Sequence, residues 1–257
     1  MLTFRKTNIA FITLLVIAIS LDWYSSIPFF VYLLLLLVYS GIVFYGCYFV
    51  DSNFFLPVIC SAKTGKKEIA ISFDDGPANE HTAEILQVLE EQGVKAAFFC
   101  IGKRISENEK LFRQLIDNGH VIGNHSYSHH LWFDLFSAKK MLADLKTMDK
   151  EMERVTGLQP KLFRPPYGVT NPNLKKAIIN GGYIPVGWSV RSLDTVIKNE
   201  KTLLDKMSKS LKPGAIFLFH DTSQTTLAIL PAFIKWVKQN GYEIVRLDKM
   251  LHLKPYA

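Results

Sequence analysis

From Lys67 onward the chain alternates short apolar runs with longer amphipathic ones, and this alternation constrains the fold more than any other feature. Strand-like runs fall at Glu68–Phe73, Ala96–Ile101, Val121–Asn124, Lys161–Arg164, Tyr183–Ser189, Ala215–His220 and Glu243–Arg246. Helical runs lie between them, at His81–Gln92, Ser106–Asn118, Phe136–Val155, Asn173–Asn180, Thr202–Leu211 and Thr226–Asn240, several stopped by a glycine such as Gly93 or Gly157. Such spacing predicts an α/β fold of parallel strands wrapped by helices, either an open sheet or a barrel. In both, chemistry gathers at the carboxyl ends of the strands.

The N-terminus reads differently. Two apolar stretches, at about residues 8–24 and 27–50, precede the alternating region, and the 24 residues from Ile27 to Val50 carry no charge. A stretch of that length can cross a hydrocarbon core of about 30 Å. The expected organisation is a membrane anchor over 1–55 with two transmembrane helices, a connector over 56–67 and a catalytic domain over 68–250. Arg5 and Lys6 precede the first stretch, while Lys63, Lys66 and Lys67 follow the second. If both cross, the positive-inside tendency puts both ends in the cytoplasm; a single crossing would put the domain outside.

Net charge is modest, +7 over 257 residues. It suits an anionic lipid surface or acidic glycan, and no Lys/Arg stripe interleaved with aromatics points to nucleic acid. Cys47, Cys60 and Cys100 are odd in number and lack CxxC spacing, so neither a zinc knuckle nor a disulfide framework is indicated.

Five motifs sit at predicted strand ends: SFDDGP (Ser72–Pro77), HSYSH (His125–His129), FRPPYG (Phe163–Gly168), WSVRSLDT (Trp188–Thr195) and FLFHD (Phe217–Asp221). His125 and His129, separated by three residues, are read as lying on one face of a helical turn, within reach of one divalent cation. A carboxylate from the Asp74–Asp75 pair would complete the set. Two adjacent carboxylates repel when both are ionised, and a cation on one relieves this while leaving the other free to take a proton from water. Arg164, ahead of two prolines, could pair with that base. His220 ends an apolar run and could act as general acid, its pKa tuned by a carboxylate such as Asp194. His81, His120, His130 and His252 read better as helix, strand or surface residues.

In order and spacing these motifs resemble those of the polysaccharide deacetylase (NodB-homology, carbohydrate esterase family 4) enzymes over about residues 66–248. The resemblance implies a distorted (β/α) barrel and a divalent metal, often zinc, that activates water. It implies that Asp74 is the base, that Asp75, His125 and His129 bind metal, and that Arg164 holds the base. Pro166, Tyr167 and Gly168 complete the matching RxPYG motif, with the Tyr167 backbone N–H at the oxyanion. His220 would be the general acid, tuned by Asp194, and Leu218 would line the acyl pocket. One motif departs: Arg191 stands where the family usually has an acidic residue, and Thr195 where it has tryptophan. The implied activity is deacetylation of an N-acyl amino sugar in a glycan or glycolipid at a bacterial-type cell membrane. The alternative is a non-catalytic carbohydrate-binding relic of the same fold.

Overall fold

A computed structural model describes residues 2–78 and 81–257. It opens with two helices, α1 (Phe4–Asp22) and α2 (Phe29–Tyr48), each long and apolar enough to cross a membrane. They pack against one another: the Phe11 and Tyr39 rings stack at 4.3 Å, and the Tyr39 hydroxyl donates to Asn8 Oδ1 at 2.9 Å. Their outer faces expose Ile12, Val16, Leu34 and Leu37 among other large apolar side chains.

The strands are β1 (Glu68–Asp74), β2 (Ala97–Cys100), β3 (Val121–Asn124), β4 (Leu162–Phe163), β5 (Ile184–Pro185), β6 (Val190–Arg191), β7 (Ile216–His220) and β8 (Glu243–Ile244). They form one sheet in the order β5-β4-β3-β2-β1-β7-β6, with β8 beside the start of β1, and every pair is parallel. The sheet curls into a barrel left open between β5 and β6. Residues 59–61 occupy that opening, bridging Ile59 to Val186 and Ser61 to Ala215.

Helices α3 (Thr82–Glu91), α4 (Gly102–Glu107), α5 (Glu109–Asp117), α6 (Ala138–Thr156), α7 (Pro172–Gly181), α8 (Glu200–Lys209) and α9 (Gln224–Gln239) wrap the sheet, and α10 (Leu247–Met250) follows β8. Side-chain caps set several starts: Ser137, Asn171, Asn199 and Ser223 each accept a bond from a backbone N–H three residues on. The single helix expected over Ser106–Asn118 is two, because Asn108 leaves helical geometry and its side chain donates to Arg104 O at 3.0 Å. The strand expected over Tyr183–Ser189 is reduced to β5; residues 186–189 lie outside any strand, and β6 begins one residue beyond the expected end.

Alternation along the strands sorts two faces. Ile69, Ile71 and Phe73 of β1 join Phe217 and Phe219 of β7 under the helices, in one core with Phe233 and Leu230 of α9. The opposite residues point into the barrel, where Ala70, Phe99, Leu162, Val186 and Ile216 fill the lower half and Leu247 and Met250 of α10 close the bottom. A third cluster ties the N-terminal helices to the domain. Val50, Phe54, Phe55, Leu56 and Val58 pack with Phe133, Phe163 and Leu174, and Ile42, Val43 and Cys47 of α2 lie against them.

Candidate active site

The inner face of β1 carries Ala70, Ser72 and Asp74 toward the barrel mouth. Asp75 would point the other way in a continued strand, but its backbone is left-handed (φ 80°), and the turn begins one residue before Gly76. Its N–H donates to Phe99 O at 3.2 Å and its carbonyl accepts from Arg104 Nη1 at 2.7 Å. Both neighbouring carboxylates therefore reach the same cleft. Gly76 is required next: a Cβ there would fall 1.8 Å from the Asp221 carboxylate. Asp221 is fully buried and accepts from Thr82 Oγ1 at 2.7 Å; burial pushes its carboxyl up to about 7.

HSYSH is not helical. His125 follows directly on β3, and the chain then winds through a loop in which Ser126 (φ 66°) and His129 (φ 44°) are both left-handed. Side chains hold it: Asn124 Oδ1 accepts from Ser126 N at 2.8 Å, and Ser126 Oγ accepts from His129 N at 3.0 Å. Asn124 Nδ2 donates to Asp149 Oδ1 at 2.9 Å, and Tyr183 and Lys146 donate to the other Asp149 oxygen. The two imidazoles still converge, with ring centres 5.0 Å apart.

His125 Nδ1 lies 2.9 Å from Arg164 O. A carbonyl only accepts, so Nδ1 carries the proton and Nε2 turns a lone pair to the cleft. Asp75 Oδ1 lies 3.7 Å from His125 Nε2 and 3.4 Å from His129 Nε2. It is buried and has no hydrogen-bond partner among the described residues. Donor atoms of the three residues lie within 4.8 Å of one another. Ligands about 2.1 Å from a tetrahedral ion stand about 3.4 Å apart, so the set fits a divalent cation after small side-chain rotations. Burial and the neighbouring His125 pull His129 down to about 4 against the opposing pull of Asp75 and Asp74, which leaves its imidazole neutral and free to ligate.

Arg164 follows β4 and is wholly buried. Its Nη1 donates to Asp74 Oδ1 and to Ser72 Oγ, both at 2.8 Å; Nε donates to Val186 O and Nη2 to Gly187 O. The guanidinium also lies 3.9 Å from the Phe99 ring centre. Asp74 Oδ2 is left toward the metal-type cluster, 3.8 Å from His125 Nε2.

His220 ends β7 directly above Leu218 on the inner face. Its Nδ1 meets Asp194 Oδ1 at 2.7 Å, and its N–H donates to Asp194 Oδ2 at 2.7 Å. Burial lowers the His220 pKa, but the Asp194 bond and charge, with Asp74 and Asp75 beyond, outweigh it and push the imidazole up to about 9. Asp194 is itself buried and further held by Thr226 Oγ1.

Tyr167 lies in the short turn Pro166–Gly168, left-handed at φ 59°, with its ring 4.7 Å from that of His129. Trp188 packs over Gly168, where a Cβ would meet the indole at 2.5 Å. Arg191 stands outside this cluster, exposed at the edge of the sheet with its guanidinium 5.7 Å from the Trp188 ring centre, and Thr195 is exposed.

Of the ten residues singled out in the sequence, Asp74, Asp75, His125 and His129 converge, with His220 in register beside Asp74 on the neighbouring strand. Arg164 and Asp194 are buried behind Asp74 and His220, Tyr167 lies beside His129, and Pro166 and Leu218 are buried. Ser72, Asn124, Asp149, Thr226 and Arg104 were not singled out; Ser72, Thr226 and Arg104 bond one of the ten directly, while Asp149 and the Asn124 side chain act on His129 through Ser126. Only Ser72 lay inside a motif; the others sit on segments whose sequence marks them merely as strand, helix or turn.

A family model for polysaccharide deacetylase matches residues 61–186. The chain is 34% identical over 195 residues to the peptidoglycan-N-acetylmuramic acid deacetylase PdaA of Bacillus subtilis, covering 74% of each. The solved structure of that protein, a family 4 carbohydrate esterase, superposes with a TM-score of 0.70 over 76% of this chain and 85% of that one, at 32% identity. A peptidoglycan-N-acetylglucosamine deacetylase, PgdA of Listeria monocytogenes, is 33% identical over 79% of this chain, which spans only 42% of that longer relative. The Bc1960 peptidoglycan N-acetylglucosamine deacetylase matches with a TM-score of 0.74 at 28% identity, covering 78% of this chain and 95% of that one. Its cleft, its curled parallel sheet and these relatives agree: the chain belongs to the polysaccharide deacetylase family.

Proposed function

We propose that this protein is a membrane-anchored, metal-dependent deacetylase that hydrolyses an N-acetyl group from an amino sugar in a glycan or glycolipid. The observation that carries the reading is the convergence of Asp74, Asp75, His125, His129, Arg164 and His220 on one cleft. Relatives named as deacetylases of peptidoglycan amino sugars supply the substrate class.

Asp75, His125 and His129 would hold the ion, zinc in this reading, which supplies a Lewis acid for the acyl carbonyl and lowers the pKa of water. Asp74, one oxygen pinned by Arg164, takes the proton of the attacking water on the other. The Tyr167 backbone N–H donates to the developing oxyanion, and Pro166 and Leu218 wall the acyl pocket. His220, kept protonated at neutral pH by Asp194, delivers its Nε2 proton to the departing amine. Acetate and a free amino sugar result.

The anchor is residues 1–55, with α1 and α2 crossing the bilayer; 56–67 is the connector and 68–250 the catalytic domain. The exposed apolar outer faces of both helices support the crossing, since so large an apolar surface suits lipid. At 20 residues α2 is about 30 Å long, the thickness of the hydrocarbon core. Phe4 N–H donates to Phe54 O at 3.0 Å, so the chain start and the domain share one side of the membrane.

Acetate release by the full chain in nanodiscs tests the function. Substrates would be N-acetylated chitooligosaccharides, peptidoglycan fragments and a lipid-linked N-acetyl amino sugar. Release that a chelator stops and zinc restores is expected. Release indifferent to chelation, or none from any substrate by metal-loaded protein, would sink the proposal.

A further inference from the structure

Leu131, Trp132 and Leu135 are 67%, 59% and 75% exposed, an apolar patch that begins two residues after His129. Between them Phe133 is buried in the cluster that receives α2, so the segment is fixed to the domain while its large side chains project. Contiguous exposed apolar residues of this kind mark an interaction surface.

Its position relative to the anchor identifies what it meets. Phe44, Tyr45, Tyr48 and Phe49 form a contiguous aromatic group at the end of α2, the composition of a membrane–water interface. At that same level Thr170 N–H donates to Cys47 O at 3.0 Å and Thr170 Oγ1 to Gly46 O at 3.1 Å. The next residue, Asn171, donates through Nδ2 to Asp134 O at 2.8 Å. Two links therefore fasten the 131–135 segment to the interfacial turn of α2. Nearby, a cleft of about 570 Å³ between the anchor and α7 is lined by Arg5, Lys175 and Lys176 together with Phe54, Phe55 and Ile179. Cations beside apolar side chains suit the headgroups of an anionic leaflet.

We propose that the Leu131–Leu135 rim docks into the headgroup region of the bilayer that α1 and α2 cross, and that the cleft takes its amino sugar from a lipid carrier. The proposal rests on the membrane-spanning reading above. His129 and Trp132 are three residues apart, at most about 11 Å along the chain, so docking sets the cleft within one sugar or two of the surface.

Full-length protein in phosphatidylcholine–phosphatidylglycerol nanodiscs with brominated acyl chains tests the docking. Wild type should show a quenched tryptophan component that Trp132→Phe lacks, over the constant contribution of Trp23. Identical quenching in both proteins overturns the docking. A triple variant, Leu131→Ser with Trp132→Ser and Leu135→Ser, tests the substrate. It should keep turnover of a soluble N-acetylated oligosaccharide within about twofold and lose about tenfold on a lipid-linked N-acetyl amino sugar. Equal effects on the two substrates overturn the lipid-carrier assignment. Wild type that deacetylates neither substrate defeats the enzymatic reading instead, and quenching still decides the docking. Release of the chain from membranes by alkaline carbonate defeats the spanning reading.

Discussion

Arg164 has no solvent exposure, yet all three of its nitrogens are used, on Asp74, Ser72 and two carbonyls of the barrel wall. Removing it would strand Asp74 in a buried site, a loss of about 3–5 kcal/mol. Arg164→Ala should therefore lower the melting transition sharply as well as turnover. Arg164→Lys keeps the charge but not the fork, and should recover stability only partly. A wild-type melting curve for Arg164→Ala would contradict this packing. At His220 the prediction concerns pH. In the proposed mechanism the protonated imidazole is the working form, so turnover should fall as pH rises through its pKa, which Asp194 holds up at about 9. Asp194→Asn removes that charge and lets the pKa drop toward about 6.5, moving the alkaline limb of the rate profile to lower pH. A limb that stays in place would mean that another group donates the proton.

The loop from Ser126 to His129 is an element in its own right, held by a relay from Asp149 through Asn124 and Ser126. Asp149→Ala should loosen it and weaken zinc affinity by about 10–100-fold, measurable by calorimetry on the apo protein. Unchanged affinity would show that the loop stands without Asp149. The sequence singled out His125 and His129 but did not reveal their conformation. An H-x-x-x-H spacing fits a helix, and nothing in HSYSH announces two left-handed non-glycine residues, held by Asn124 and Ser126 and, behind them, by distant Asp149. The same limit applied across residues 183–191, where two-residue strands carry too short a pattern to read. β1, β3 and β7 were legible almost to the residue, because each is a buried run that ends at, or one residue before, a titratable group. Arg164 was recognisable from the prolines that follow it; its partner Ser72 was not, since their contact joins residues far apart in sequence.

At the scale of the molecule, residues 50–61 pack on the domain as well as tethering it. Val50, Phe54, Phe55 and Val58 complete a core with Phe163 and Leu174, and residues 59–61 close the gap in the sheet. A chain beginning at residue 62 should aggregate or melt well below one beginning at residue 50; equal melting of the two would assign those residues to the anchor alone. The proposed mechanism rests on a division of labour between two adjacent aspartates, and one paired experiment addresses it: bound zinc and acetate release measured together for Asp74→Asn and Asp75→Asn. Asp74→Asn should keep zinc and lose at least about a hundredfold in turnover, while Asp75→Asn should lose both. Near-normal turnover in either variant, or zinc lost with Asp74→Asn and kept with Asp75→Asn, would contradict the assignment.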